Sequence, residues 1–204
     1  MTPSAPTLLP SQDNVPESAG LAYLHGRYRQ GIRPRLVVLG TTMDDAVSAA
    51  GGRICDLAMA GWEVTVLAGT LDDPLPAHIL GASALELDAA FARRRRRRPP
   101  RAVAISAELL ATEDRLRRRL QEYPDSATIE ISIWGPQYAA ETADRTEITT
   151  HRLSHAARAF KKQALRAVRG GADTVAPTEN FGTALASRWA LPACDPAAFG
   201  GSVR

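Results

Sequence analysis

The first clear pattern along the chain is a run of aliphatic residues over positions 36–39, LVVL. A continuous rather than alternating run is typical of a strand buried on both faces, as in a parallel sheet covered by helices. Residues 46–60 have apolar positions at helical spacing, and Gly61 follows as a helix terminator. The apolar strand 63–68 comes next, so the segment predicts a βαβ unit, which is nearly always right-handed.

Weaker patterns continue the alternation of strands and helices. They predict a short strand over 84–87, an uncertain one over 103–105, a helix over 106–122 that begins at Ser106, a strand over 128–134 and a long helix over 147–169. The last 30 residues or so are rich in Pro and Gly and are expected to be loops. The predicted fold class is therefore α/β, with a mostly parallel sheet and helices on both faces in three layers, as in Rossmann-like proteins.

Length and composition fit one globular domain after a short tail. The chain has 204 residues, of which 45% are hydrophobic, and no apolar run approaches the length of about 20 residues that a membrane helix needs. Four prolines among Ser and Thr predict a disordered tail over residues 1–20, so the domain is placed at 21–204. The N-terminus lacks the pattern of a secretory signal, and the two cysteines are too few for a disulfide framework. The cytoplasm is the expected location.

The net charge of +3 hides an uneven distribution. Six of the positive charges are the consecutive arginines 93–98, and without them the other 198 residues carry a net charge of −3. A solvated loop is the simpler interpretation of the run, and an acidic partner that binds Arg94–Arg98 is the alternative. Nucleic acid is disfavoured because no aromatic residue is interleaved with these arginines. A homo-oligomer stays open.

The candidate chemistry lies directly after the first strand. Ligands of open parallel sheets bind beyond the carboxyl ends of the strands, where Thr41, Thr42, Asp44 and Asp45 precede a helix N-terminus. One interpretation is that Asp44 or Asp45 caps the helix. The other is that the two carboxylates form a functional pair.

This segment resembles a known family. Residues 36–69 resemble the first βαβ unit of LmbE-like proteins, the GlcNAc-phosphatidylinositol de-N-acetylase (PIG-L) superfamily, in which a His-x-Asp-Asp motif is followed by a Gly-Gly pair. Asp44-Asp45 and Gly51-Gly52 stand at the matching spacing. The sequence Asp-Asp-Ala-Val and the segment 80–94 resemble the branch of the family found in actinobacterial antibiotic pathways. The resemblance of segment 80–94 implies that Asp88 and Arg93 face the substrate.

The resemblance implies an LmbE-like α/β domain and zinc-dependent amide hydrolysis, with Asp44 as general base and Asp45 as a zinc ligand. This sequence departs from the motif, because Thr42 replaces the histidine and no histidine follows the strand 128–134. A threonine hydroxyl is a poor zinc ligand. His151 and His155 have the i, i+4 spacing of a helical metal site, but they would share a face with cationic residues, which oppose metal binding. We therefore expect no cofactor, with zinc, if any, at Asp45.

Three functional hypotheses follow from these observations. The first is a repurposed, metal-independent enzyme of small-molecule biosynthesis in secondary metabolism, in which Asp44 and Asp45 are catalytic and Thr41, Thr42, Asp88 and Arg93 bind a small polar substrate. If buried, one of the two carboxyls would have a raised pKa. The second is a non-catalytic relative that binds a ligand or partner. The third is a metal-dependent N-deacetylase with a non-standard metal site.

Overall fold

The computed structural model describes residues 33–92, 99–121, 129–135, 147–171 and 174–185. The chain divides after Arg33, and the unit from Pro34 onwards contains all the elements discussed below. The predicted tail over 1–20, the domain limit at residue 21 and the arginine run 93–98 lie outside the described residues.

Seven strands and six helices are present in the described ranges. The strands are β1 Arg35–Thr42, β2 Glu63–Thr70, β3 Ser83–Glu86, β4 Ala102–Ser106, β5 Glu130–Trp134, β6 Glu147–Arg152 and β7 Thr178–Leu185. The helices are α1 Met43–Met59, α2 Leu75–Ile79, α3 Leu87–Ala92, α4 Ala107–Thr112, α5 Asp114–Gln121 and α6 His155–Arg169. None of the described helices is both long enough and apolar enough to cross a membrane.

The strands form one mostly parallel sheet in the order β3-β2-β1-β4-β5-β7-β6. Strands β1 to β5 pair in parallel, whereas β7 is antiparallel to both of its neighbours, β5 and β6. The predicted βαβ unit is confirmed as β1-α1-β2, and the short apolar segments around residues 84 and 103 are strands β3 and β4. The α/β fold class expected from the sequence is therefore correct.

Helices cover both faces of the sheet, because successive side chains of a strand point to opposite sides. On one face, Leu39, Val103 and Ile131 pack in a buried cluster with apolar residues of α3, α4 and α5. On the other face, Leu36 and Val38 are buried under a layer in which α1, α2 and α6 contact one another. These two layers and the sheet give the predicted three-layer arrangement.

Two helix predictions need correction. The predicted helix 106–122 is divided at Glu113, which has an extended backbone between α4 and α5. The predicted helix 147–169 begins only at His155, because the preceding β-branched segment forms the edge strand β6. Ser154 then caps α6 by accepting a hydrogen bond from the amide of Ala157. The expectation of loops after residue 174 was also wrong for residues 178–185, which form β7.

The inner face of α6 includes a buried charge. Ala157, Lys161 and Leu165 are buried, whereas Phe160 is 46% exposed. Lys161 tolerates burial because its ammonium group is 2.6 Å from Glu179 Oε1 and 2.6 Å from the carbonyl oxygen of Ser48. A buried charge needs such partners, and the buried face of α6 is therefore not purely apolar.

Candidate functional site

The candidate site lies where β1 passes directly into α1. Gly40 permits this tight connection, because a Cβ there would lie 2.9 Å from Ala46 Cβ. Thr42 is the N-cap residue of α1, and its hydroxyl accepts a hydrogen bond from the amide of Asp45 at 3.1 Å. The hypothesis that Asp44 or Asp45 is the cap was wrong, since both belong to the first turn of the helix.

Asp45 points into the protein and accepts three hydrogen bonds. Its Oδ2 accepts from the amide of Thr41 at 2.9 Å and from the Thr41 hydroxyl at 3.2 Å. Its Oδ1 accepts from the indole Nε1 of Trp134 at 2.8 Å. Trp134 is the last residue of β5 and is 7% exposed. Asp45 thus connects the ends of β1 and β5, two strands that β4 separates.

Asp44 points outwards and forms an ion pair with the last residue of α6. Arg169 Nε lies 2.6 Å from Asp44 Oδ1, and Arg169 Nη2 lies 3.1 Å from Oδ2. Ser48, one helical turn after Asp44, joins both groups, with its hydroxyl 3.2 Å from Asp44 Oδ1 and 2.6 Å from Arg169 Nη2. The side chains of Asp44 and Arg169 are 41% and 40% exposed. This ion pair is the accessible part of the site.

The residues present do not fit a zinc ion. Zinc in proteins takes its ligands from imidazole, thiolate and carboxylate groups. Here Thr42 stands in place of the motif histidine, Asp45 accepts from three donors of the chain, and Asp44 is paired with a guanidinium group. Within the part of the chain that the structure describes, no three His, Cys, Asp or Glu residues come together in a way that could hold a metal.

The two histidines considered as a helical pair lie on different elements. His151 belongs to strand β6, and its Nε2 forms a hydrogen bond with Asp56 Oδ2 at 2.9 Å. His155 is the first residue of α6 and is exposed. The spacing argument was therefore wrong, because the chain is not helical at residue 151.

Asp88, which the sequence predicts to bind the substrate, forms an ion pair with a residue of α5. Asp88 follows β3, two strands away from β1 in the sheet, and its side chain is 73% exposed. Its Oδ1 lies 2.7 Å from Arg115 Nη2 of α5, and Arg115 also covers the ring of Phe91 at 5.1 Å. Asp88 therefore makes its contacts with α5 and not with Asp44 or Asp45. Arg93 lies outside the described residues, so its expected role in the site stays a prediction.

The Gly51-Gly52 pair lets three elements meet around a buried charge. A Cβ on Gly52 would lie 2.2 Å from Leu153 Cγ. At the same point of α1, Glu179 of β7 accepts hydrogen bonds from the amides of Gly52 and Arg53, at 2.7 and 2.9 Å. The glycine pair of the motif thus holds α1 against α6 and β7.

Sequence reasoning missed Trp134, Arg169 and Ser48 as members of the site. Trp134 could have been found, because it ends a predicted parallel strand at the edge where ligands of such sheets bind. Arg169 carried no comparable signal, since it lies 125 residues from Asp44 along the chain and meets it only through the packing of α6 on α1.

Comparison with known proteins finds relatives of the fold only. Scans against known protein families and against curated proteins find no match. Among solved structures, a triple mutant of a deacetylase of the teicoplanin biosynthetic pathway has 15% identity and a TM-score of 0.49, over 74% of this chain and 98% of that chain. The A40926 pseudoaglycone deacetylase has 14% identity and a TM-score of 0.45, over 74% and 96% of the two chains.

A 4-carboxy-2-hydroxymuconate hydratase from Pseudomonas putida KT2440 is similar to the same degree, with 15% identity and a TM-score of 0.45 over 74% and 95% of the two chains.

Proposed function

We propose that this chain is a small-molecule-binding relative of the LmbE-like deacetylases that does not carry out their zinc-dependent amide hydrolysis. One observation carries the proposal: the oxygens of both carboxylates accept from donors of the chain itself. Asp45 accepts from Thr41 and Trp134, and Asp44 from Arg169 and Ser48. A metal ion at Asp45 would have to displace three hydrogen bonds and would gain no imidazole ligand in return.

The two carboxylates have different roles in this proposal. Asp45 fixes the ends of β1 and β5 and shapes the edge of the sheet. Asp44 and Arg169 meet the ligand, because both are about two-fifths exposed. Side by side they offer a carboxylate, a guanidinium group and the Ser48 hydroxyl, a set that suits a small molecule with hydroxyl, amino or acidic groups. A cytoplasmic place in secondary metabolism, expected from the resemblance, is part of the proposal.

A second candidate is a metal-independent enzyme in which Asp44 performs acid–base chemistry. The exposure of Asp44 favours it, since an exposed ion pair is weak and a substrate can open it at low cost, about 0–1 kcal/mol. A substrate with an ammonium group would take the place of Arg169 at Asp44, and the freed carboxylate would then lie beside the bound molecule. Asp45 is not a catalytic residue in this version.

The metal content of the purified full-length chain tests the first part of the proposal. We expect well below one zinc per chain by elemental analysis after dialysis against micromolar zinc. A full equivalent of zinc that is lost in both Asp45→Ala and Asp45→Asn would contradict the proposal. Asp44→Asn is the matched control, because it changes the neighbouring carboxylate and leaves the hydrogen bonds of Asp45 in place.

A panel of N-acylated and free amino sugars tests binding against catalysis. Binding is followed by the shift in melting temperature and turnover by mass spectrometry of the products. A binding protein is expected to be stabilised by some members without converting them, and Arg169→Gln should weaken that binding at least tenfold, with Arg118→Gln of α5 as control. Turnover that Asp44→Asn abolishes would instead establish the second candidate.

A further inference from the structure

Helix α6 carries an unusual distribution of charge. Its 15 residues include five Lys and Arg and no Asp or Glu. Two of the five cations serve the interior and the candidate site, Lys161 through Glu179 and Arg169 through Asp44. The other three, Arg158, Lys162 and Arg166, are exposed.

These three cations form a row along the helix. They are spaced four residues apart, so they lie on one side of α6 with a rise of about 6 Å between neighbours. Their side chains have no hydrogen bond or ion pair with other residues in the described ranges. We call Arg158, Lys162 and Arg166 the cationic row.

The exposed face of α6 beside the cationic row has mostly small side chains. At 100° per residue, Ala156, Ala159, Ala167 and Gln163 lie between the cationic row and Phe160, and all four are exposed. Phe160, at the far border of this face, is 46% exposed. The face therefore has a charged border, a centre of three alanines and one glutamine, and an aromatic border.

We propose that this face of α6 binds an acidic amphipathic helix of a partner protein. Carboxylates four residues apart on such a helix repeat at the same interval of about 6 Å as the cationic row. The alanines let the partner backbone come close, and Phe160 supplies an apolar anchor of the kind enriched in protein interfaces. The proposal does not rest on the function proposed for the candidate site.

The charge distribution favours a protein helix over nucleic acid. The row presents three cations along one side of a helix, whereas a DNA-binding protein commonly contacts about 6–10 phosphates. Helix α3, which ends at Ala92 just before the run, packs on the face of the sheet opposite to α6.

Binding of a designed peptide to the full-length chain tests this proposal. The peptide is a 20-residue helix with glutamates at every fourth position on one side and leucines beside them. The comparison peptide has the same composition with its glutamates distributed around the helix. To separate the row from the arginine run, each measurement is repeated with Arg94–Arg98 replaced by Ser.

We expect Lys162→Glu to weaken binding of the first peptide at least tenfold in both backgrounds, and Phe160→Ala to weaken it about threefold. The matched control is Arg118→Glu, an equal change of charge on an exposed position of α5, which should have little effect. Equal affinity for the two peptides, equal effects of Lys162→Glu and Arg118→Glu, or tighter binding of a 20-base-pair DNA duplex or of anionic lipid vesicles would overturn the proposal.

Discussion

The two adjacent aspartates of α1 have different roles because the side chains of neighbouring helical residues point about 100° apart. Asp45 faces the sheet, where Thr41 and Trp134 surround it with donors. Asp44 faces outwards, where it has Arg169 and Ser48 as partners. The pair is thus one structural carboxylate and one accessible carboxylate.

Removal of each carboxylate should therefore have a different effect on stability. Asp45→Ala leaves the amide of Thr41 and the indole of Trp134 without their acceptor, and we expect a loss of about 2–3 kcal/mol in the free energy of unfolding. Asp44→Ala opens a half-exposed ion pair and should cost about 0–1 kcal/mol. Urea unfolding of both variants measures the difference, and equal losses would contradict the assignment.

Cys55 provides a residue-level prediction about pH. It is 2% exposed, and burial, together with the nearby charge of Asp56, raises the pKa of its thiol from 9.0 to about 11. Because the raised pKa favours the neutral thiol in the folded state, the stability that it contributes is complete below pH 9 and is lost as the pH rises towards 11.

We expect the difference in free energy of unfolding between the chain and Cys55→Ala to narrow by about 2 kcal/mol over this range. Both are measured in a Cys194→Ser background, so that a single thiol titrates. A difference that stays constant from pH 8 to pH 11 would show that Cys55 titrates alike in both states.

At the scale of elements, the meeting point of α1, α6 and β7 stabilises the helical layer that contains α1, α2 and α6. Lys161 and Glu179 are each about 5% exposed and lie 2.6 Å apart. Glu179 also binds two amides of α1 that lie in the middle of the helix. The position of Arg169 at the candidate site depends on this packing, since α6 ends there.

Gly52→Ala should disturb this meeting point. The new Cβ would lie 2.2 Å from Leu153 Cγ, so a buried side chain has to move, and overpacking of this kind costs about 1–3 kcal/mol. Gly171→Ala is the control, because a Cβ there meets nothing within 4 Å. The melting temperatures of both variants are compared by thermal unfolding. An unchanged melting temperature of Gly52→Ala would show that the Leu153 side chain can move aside without cost.

At the scale of the whole molecule, stability should decrease from the middle of the sheet to its β6 edge. All five residues of β4 are buried, and β4 pairs on both sides. Among the described strands, β6 pairs with β7 alone, and Ile148 is 75% exposed. Hydrogen exchange followed by mass spectrometry should therefore show the strongest protection in β4 and much faster exchange in β6. Equal protection of the two strands would contradict this order.

The same decrease in burial from the middle of the sheet to its β6 edge explains which elements could be predicted from the sequence. Strand β1 and helix α1 have strong local patterns, continuous apolarity and helical periodicity, and their prediction was correct. Residues 148–152 of strand β6 are mostly exposed. They lack the apolar run that marks a central strand and could be mistaken for the start of the next helix. Arg169, which lies 125 residues from Asp44, could not be predicted in this way. Trp134, which lies 89 residues from Asp45, could be placed near it only through the end of its predicted strand.

The hydrogen bond between Trp134 and Asp45 also gives the protein a built-in optical reporter. Indole emission is sensitive to a charge at its N–H, and Trp134 is nearly excluded from water at the point where the sheet meets α1. A molecule that binds at Asp44 and shifts the start of α1 would alter the fluorescence of this one indole. Ligands can therefore be sought by titration with the unlabelled chain, with Trp134→Phe to identify the source of the signal.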